Sequence, residues 1–196
     1  NEVARDNIAP QDTTEAGGQK PTSLKEEYKI QEIPIKALKL SKDVPNFKEG
    51  ADIDTGVVKG EELQGSYDRL GSGPIIVWKR KNGILEVITG RHRLDLAKRS
   101  GEKTIPAQVV KESDGFTRAM ALTIDAESNI RDGQGKVKDY AHYFKNTETT
   151  KEIARQRGLL SRAKGKIGFV IGRSSVDDVY TGFVSGKLSE AKAYAI

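Results

Sequence analysis

Residues 73–110, GPIIVWKRKNGILEVITGRHRLDLAKRSGEKTIPAQVV, constrain the fold more tightly than any other stretch of this chain. Two runs rich in β-branched residues, PIIVWKR and ILEVITG, are separated by KNG, whose Asn82-Gly83 pair is a hairpin turn signal. The second run stops at Gly90, a helix is expected from about 91 to 99 with a stop near Gly101, and TIPAQVV at 104–110 has the pattern of a further buried strand. A small mixed sheet with a helix packed on it is the architecture this order requires.

The helix opens on Arg91, His92 and Arg93. Cations are unfavourable at a helix start, where the first amides already carry partial positive charge. The arrangement makes sense beneath an anion: a strand, a glycine and a helix N-terminus form a recurring phosphate cradle, to which arginines add charge-assisted bonds. Thr89, Gly90, Arg91, His92 and Arg93 are therefore the first candidate binding residues. On the residues alone, an exposed basic helix start with solvated arginines is an equally good reading.

Upstream, residues 1–27 are polar and expected to be a flexible arm, EIPIKALKL at 32–40 reads as one strand, and the Gly-rich stretch 50–73 as loop. From 114 the pattern turns helical. DGFTRAMALTIDAESN begins with an Asp of N-cap type, and five short helical segments follow between 136 and 196, several opening on Ser or Thr. The expected division is an arm (1–27), a nucleotide-binding unit (28–112), connecting helices that complete its site (113–148) and a basic helical region (149–196).

Charge supports that division. The net charge is +5, and residues 149–196 hold nine Lys/Arg against four acids, so the whole excess lies there and points to a polyanion partner. The chain has no Cys and only two His, which excludes disulfides, thiol nucleophiles and zinc–thiolate sites. No stretch has the length and apolarity of a membrane span, so no membrane partner is expected. The missing initiator Met and the ending in EAKAYAI suggest a piece of a longer protein, and an intracellular setting is the default for a chain without Cys.

The 73–110 stretch resembles the core of the ParB/sulfiredoxin superfamily: a Pro-initiated strand, a hairpin, a Gly-x-x-Arg phosphate motif opening a helix, and an Ile-Pro strand. The wording of GADIDTGVVKGEELQGSYDRLGSGP and IRDGQGKVKDYAHYF is similar to ParB-like domains of phage defence-against-restriction proteins in large phage or plasmid proteins. The resemblance implies an α+β fold with a small mixed sheet, followed by an all-helical, helix-turn-helix-like region. It also implies a nucleoside triphosphate, CTP before ATP, held at the GRHR helix start, with a homodimer as a further partner state. Gly90 and Arg93 match the family's Gly-Glu-Arg-Arg motif, while Arg91 and His92 replace its Glu and first Arg. The counterpart of the Glu-Asn-x-x-Arg motif is ESNIRDG, which makes Asn129 and Arg131 candidate phosphate contacts and Glu127 a candidate magnesium ligand, although Glu127 comes one residue early and Asp132 stands at the Arg position. Gly71, Ser72 and Gly73 correspond to another nucleotide-contacting loop. Sulfiredoxin chemistry is excluded without Cys, and Thr89 in place of an acid speaks against the free-serine kinases of this fold.

TTKEIARQRGLLSRAKGKIGFVIGRSS resembles the helix-turn-helix of ParB relatives, with one extra residue in the turn. Its candidate DNA contacts are Thr150, Arg155, Arg157, Ser161, Arg162, Lys164 and Lys166. Gly165 and Gly168 would weaken the recognition helix by about 1 kcal/mol each relative to Ala. The alternative for this segment is a solvated cationic bundle. The function expected from the sequence is nucleotide-gated DNA binding in a mobile-element protein, in the host cytoplasm or carried in a phage particle. Slow nucleotide hydrolysis is an accompanying activity the resemblance implies; a metal-dependent DNA nuclease and a scaffold segment with a degenerate pocket are the rivals.

Overall fold

The computed structural model describes residues 29–44 and 46–196; the arm at 1–27 lies outside them. The order is β1 (Ile30–Pro34), β2 (Leu38–Leu40), β3 (Ile75–Lys79), β4 (Leu85–Thr89), α1 (Arg91–Arg99), β5 (Thr104–Lys111), α2 (Arg118–Asp132), α3 (Val137–Lys145), α4 (Lys151–Gln156), α5 (Ala163–Gly172), α6 (Asp177–Val184) and α7 (Glu190–Ala195). The strands form one mixed sheet in the order β1-β5-β3-β4-β2. β3 pairs antiparallel with β4 and parallel with β5, and the hairpin turn between β3 and β4 closes on Gly83 at φ +83°.

The segment 32–40 is not the single strand its alternation suggests. Pro34 ends β1, a 3-10 turn covers Ile35–Ala37, and β2 then pairs with β4 at the opposite edge. Five flat strands would hold the edges about 19 Å apart, whereas the four steps from Pro34 to Leu38 reach about 14 Å at most. The sheet therefore curls until its edges approach. Hydrophobic residues fill both faces: Ile75, Val77 and Val87 pack with Leu94 and Ala97 of α1, while Trp78, Ile88 and Val110 pack with Phe116 and Ala121. Strand alternation thus places α1 on one face and the first half of α2 on the other.

α2 starts at Arg118 rather than after Asp114, because the Thr117 hydroxyl accepts the Met120 N–H while Asp114 closes a 3-10 turn. The five helices expected after residue 136 all form. Among the described residues none is long and apolar enough to cross a membrane.

Gly165 and Gly168 have a reason to be in α5. A Cβ on Gly168 would lie 2.5 Å from Tyr140 Cβ, one on Gly172 2.5 Å from the Ala141 carbonyl oxygen, and one on Gly165 would collide with the Leu159 carbonyl. Gly168 and Gly172 let α5 lie backbone-to-backbone on α3, and Gly165 lets it start tight against the α4–α5 turn. Gly168→Ala is expected to lower stability by about 1–3 kcal/mol through overpacking, the opposite sign to its helix propensity. Urea denaturation reads the difference directly.

Candidate functional site

Strand β4 delivers its last residue, Thr89, to a buried position, and Gly90 turns the chain into α1 at φ +94°. A Cβ there would lie 2.5 Å from Ile75 Cγ2, so both the backbone angle and the close approach require glycine. No side chain caps α1, and its first intrahelical bond is Leu94 N–H to Gly90 O. The amides of residues 91–93 therefore point to the helix mouth, the positive end of its dipole.

The three side chains there do different things. Arg91 turns inward: one nitrogen donates to Asp125 Oδ1 at 3.0 Å and the other to Val44 O at 3.0 Å, with 6% of the side chain exposed. Arg93 donates to the carbonyls of Ser72 (3.0 Å) and Pro74 (2.7 Å), and no carboxylate stands within ion-pair distance of it among the described residues. Its charge is held in place but not neutralised. His92 Nδ1 lies 2.9 Å from Glu61 O. That oxygen can only accept, so Nδ1 carries the proton, and Nε2 is buried without a partner. Burial, followed by the Lys48 charge, holds the His92 pKa below its ordinary value.

Across the gap, Asp125, Ser128, Asn129 and Asp132 fall on one face of α2 by their three- and four-residue spacing. The third wall is the segment 46–49, which contributes Asn46 and Lys48. Phe47 N–H donates to Asp125 Oδ2 at 3.1 Å, Asn46 Nδ2 to Gly56 O at 2.6 Å, and Lys48 Nζ to Glu61 Oε2 at 2.8 Å. The cavity so enclosed measures about 100 Å³ and is lined by these residues together with Thr89, Gly90, Arg91, His92 and Arg93.

Six sequence candidates therefore meet at one pocket: Thr89, Gly90, Arg91, His92, Arg93 and Asn129. Gly71, Ser72 and Gly73 stand behind it, fastened by Arg93. Arg131 is exposed and lies outside it, 3.7 Å from Glu127. Glu127 does not fit the magnesium role expected of it. Its buried carboxylate accepts from Tyr143 Oη at 2.8 Å and Arg157 Nη1 at 2.6 Å, away from the cavity lining. Burial pushes the Tyr143 hydroxyl up to about 12, so it remains a donor to Glu127. Among the described residues no group of three or more His, Asp or Glu is arranged to hold a metal. Asn46, Lys48, Asp125 and Ser128 are lining residues to which the sequence motifs do not point, and Asp132, which stands at the motif's Arg position, joins them. The three on α2 share the helical spacing of Asn129, a signal that was there to read; Asn46 and Lys48 lie more than forty residues from the motif in sequence.

The basic helical region is also partly spoken for. Thr150 caps α4 by accepting the Ile153 N–H, Arg157 is bonded to Glu127, and Ser161 donates to Gly158 O. Arg162 donates to Arg131 O at 2.8 Å and Lys164 to Gly135 O at 3.1 Å, so both serve carbonyls at or just beyond the end of α2. Arg155 and Lys166 are exposed.

A curled mixed sheet, a pocket at a strand–Gly–helix junction and a trailing helical unit are the features of a ParB-like class of protein. The sequence matches the ParB N-terminal domain over residues 19–126, more than half the chain, and the chain belongs to that family. The structure is similar to a C-terminally truncated chromosome-partitioning protein ParB from Caulobacter crescentus complexed to the centromeric parS site: 21% identity, TM-score 0.51, covering 85% of this chain and 83% of that one. A second structure of the truncated Caulobacter protein, complexed with CTP-gamma-S, matches at 22% identity and TM-score 0.36, covering 85% and 91%. No curated protein matches the sequence.

The inward turn of Arg91 has a measurable consequence. Asp125→Ala leaves a buried guanidinium without its counter-charge and is expected to cost about 3–5 kcal/mol, while an Arg91→Met, Asp125→Leu double replacement costs clearly less than the two single changes added. Chemical denaturation of the four proteins checks it.

Proposed function

We propose that this chain binds a nucleoside triphosphate through a phosphate seated at the start of α1, and DNA through α4 and α5. The observation that carries the reading is the meeting of three uncapped amides, the unneutralised Arg93, Lys48 and a buried unpaired imidazole nitrogen in one cavity. Its volume of about 100 Å³ leaves room for a phosphoryl group at the helix mouth. CTP is the nucleotide the family resemblance favours and ATP the alternative. No step through a metal is part of this reading, since Glu127 is committed elsewhere.

For DNA, α4 and α5 are read as a helix-turn-helix. The exposed start of α5, with Ala163, Lys164 and Lys166, is the part offered to the groove, and Arg155 of α4 lies near phosphate. Membership of the ParB family and the shared fold with a parS-bound protein support this half. A parent protein of phage or plasmid origin of the defence-against-restriction type, in the host cytoplasm or the particle, is the setting the reading implies, with a second copy of the chain as a further partner.

Calorimetric titration with CTP, ATP and inorganic triphosphate tests the pocket. Saturable binding is expected, weakened at least about tenfold by His92→Glu, which places a carboxylate where the phosphate would lie; identical affinities overturn the assignment. Because His92 is held neutral in the free protein, an arriving anion raises its pKa and takes up a proton. Affinity should therefore rise as pH falls below about 6.5, and proton uptake, read from titrations in buffers of different ionisation enthalpy, should vanish in His92→Asn. For DNA, the plot of log affinity against log salt should be steep, and Arg155→Ala with Lys166→Ala should shallow it by about two units. A flat plot in the unaltered chain removes the DNA half.

A further inference from the structure

Lys48 is 7% exposed, and its ammonium bonds one carboxylate, Glu61 Oε2 at 2.8 Å, on a side chain that is 41% exposed. Its backbone is pinned from three directions: Phe47 N–H to Asp125, Lys48 N–H to Asn46 Oδ1, and Glu49 N–H to Asp139. The pocket therefore presents this charge in a fixed place. Glu61 belongs to the Gly-rich loop and also reaches the helix mouth through its carbonyl, which His92 Nδ1 contacts. One acidic residue thus holds two of the groups that line the cavity, Lys48 through its carboxylate and His92 through its backbone carbonyl.

We propose that Lys48 is a further phosphate-binding residue of this pocket and that Glu61 is a built-in substitute anion, displaced when the ligand's phosphate arrives. This rests on the nucleotide reading above. A buried ammonium without a counter-charge is costly, so the free chain keeps Glu61 in place. An ammonium has three donors and Glu61 takes one, whereas a phosphoryl group offers three acceptor oxygens and up to two charges. The displaced carboxylate returns to water at little cost, because it is already partly solvated. Arg91 is neutralised by Asp125 and Arg93 is tied to two carbonyls, so Lys48 is the lining cation whose partner can be exchanged. The class of ligand follows. A singly charged carboxylate does no better than Glu61, which has the advantage of being tethered, while a di- or triphosphate out-competes it.

The test is titration with CTP and with inorganic triphosphate of four proteins: the unaltered chain, Lys48→Ala, Glu61→Gln and the double variant, each first confirmed folded by its thermal transition. Lys48→Ala should weaken binding about tenfold or more. Glu61→Gln should strengthen it about three- to tenfold, since it removes the competitor but keeps the side chain's shape. The double variant should behave as Lys48→Ala, because the gain acts through the ammonium. An unchanged Lys48→Ala, a Glu61→Gln that fails to strengthen, or a gain that persists without Lys48 overturns the proposal. If the unaltered chain binds neither probe, the pocket reading itself falls and this inference with it. If it binds, and His92→Glu abolishes binding while Lys48→Ala and Glu61→Gln match the unaltered chain, only this inference falls.

Discussion

The ion pair between Arg91 and Asp125 is the contact on which the pocket depends. It joins the first residue of α1 to the middle of α2, and the same two side chains hold the loop between them, Arg91 through Val44 O and Asp125 through Phe47 N–H. Burial pushes the Asp125 carboxyl up, while the Arg91 charge and the Phe47 N–H pull it back towards ionisation. A buried pair of this kind contributes little net stability over an apolar pair of the same shape. What it fixes is position: three segments distant in sequence are brought to one point, and the cavity is the space left between them. Gly56 completes the arrangement, because a Cβ there would lie 2.5 Å from Arg91 Cδ.

This division of labour changes the meaning of the Arg-His-Arg run. Three cations at a helix start suggest three hands on an anion, but one is an internal strut, one is a charged brace for the 71–74 loop, and one is a neutral ring. The dipole end of α1 and the Arg93 charge remain, and Lys48 arrives from a loop more than forty residues away. The pocket is assembled by the fold, and the motif supplies its frame.

Residues 73–110 were legible because the signals there are local: β-branched runs, a turn glycine, a helix stop. The same holds for the five later helices, whose Ser, Thr and Gly punctuation sits at their own ends. The split of 32–40 was not legible, since alternation is preserved on both sides of Pro34 and only the curl of the sheet separates the two edges. The direction of Arg91 was not legible either, because its partner lies thirty-four residues on. Glu127 misled for a related reason. It and Asn129 are two residues apart, so they face different sides of a helix: Asn129 meets the cavity and Glu127 meets Tyr143 and Arg157.

That opposition makes α2 the shared wall of the molecule. One face carries Asp125, Ser128, Asn129 and Asp132 to the pocket; Glu127 holds α3 and α4; and the carbonyls at and just beyond its end receive Arg162 and Lys164 at the start of α5. The basic excess of residues 149–196 is consequently smaller in effect than its formal count. Of the seven bases between Lys151 and Arg173, Arg157, Arg162 and Lys164 bond to groups on or next to α2, and Arg173 bonds to the Thr147 and Thr149 carbonyls. Their charges still contribute to the long-range field, but their hydrogen bonds are spent inside the molecule, three on α2 or just beyond its end and that of Arg173 on the link between α3 and α4. A polyanion that recruits Arg162 or Lys164 must first draw them off the carbonyls of Arg131 and Gly135.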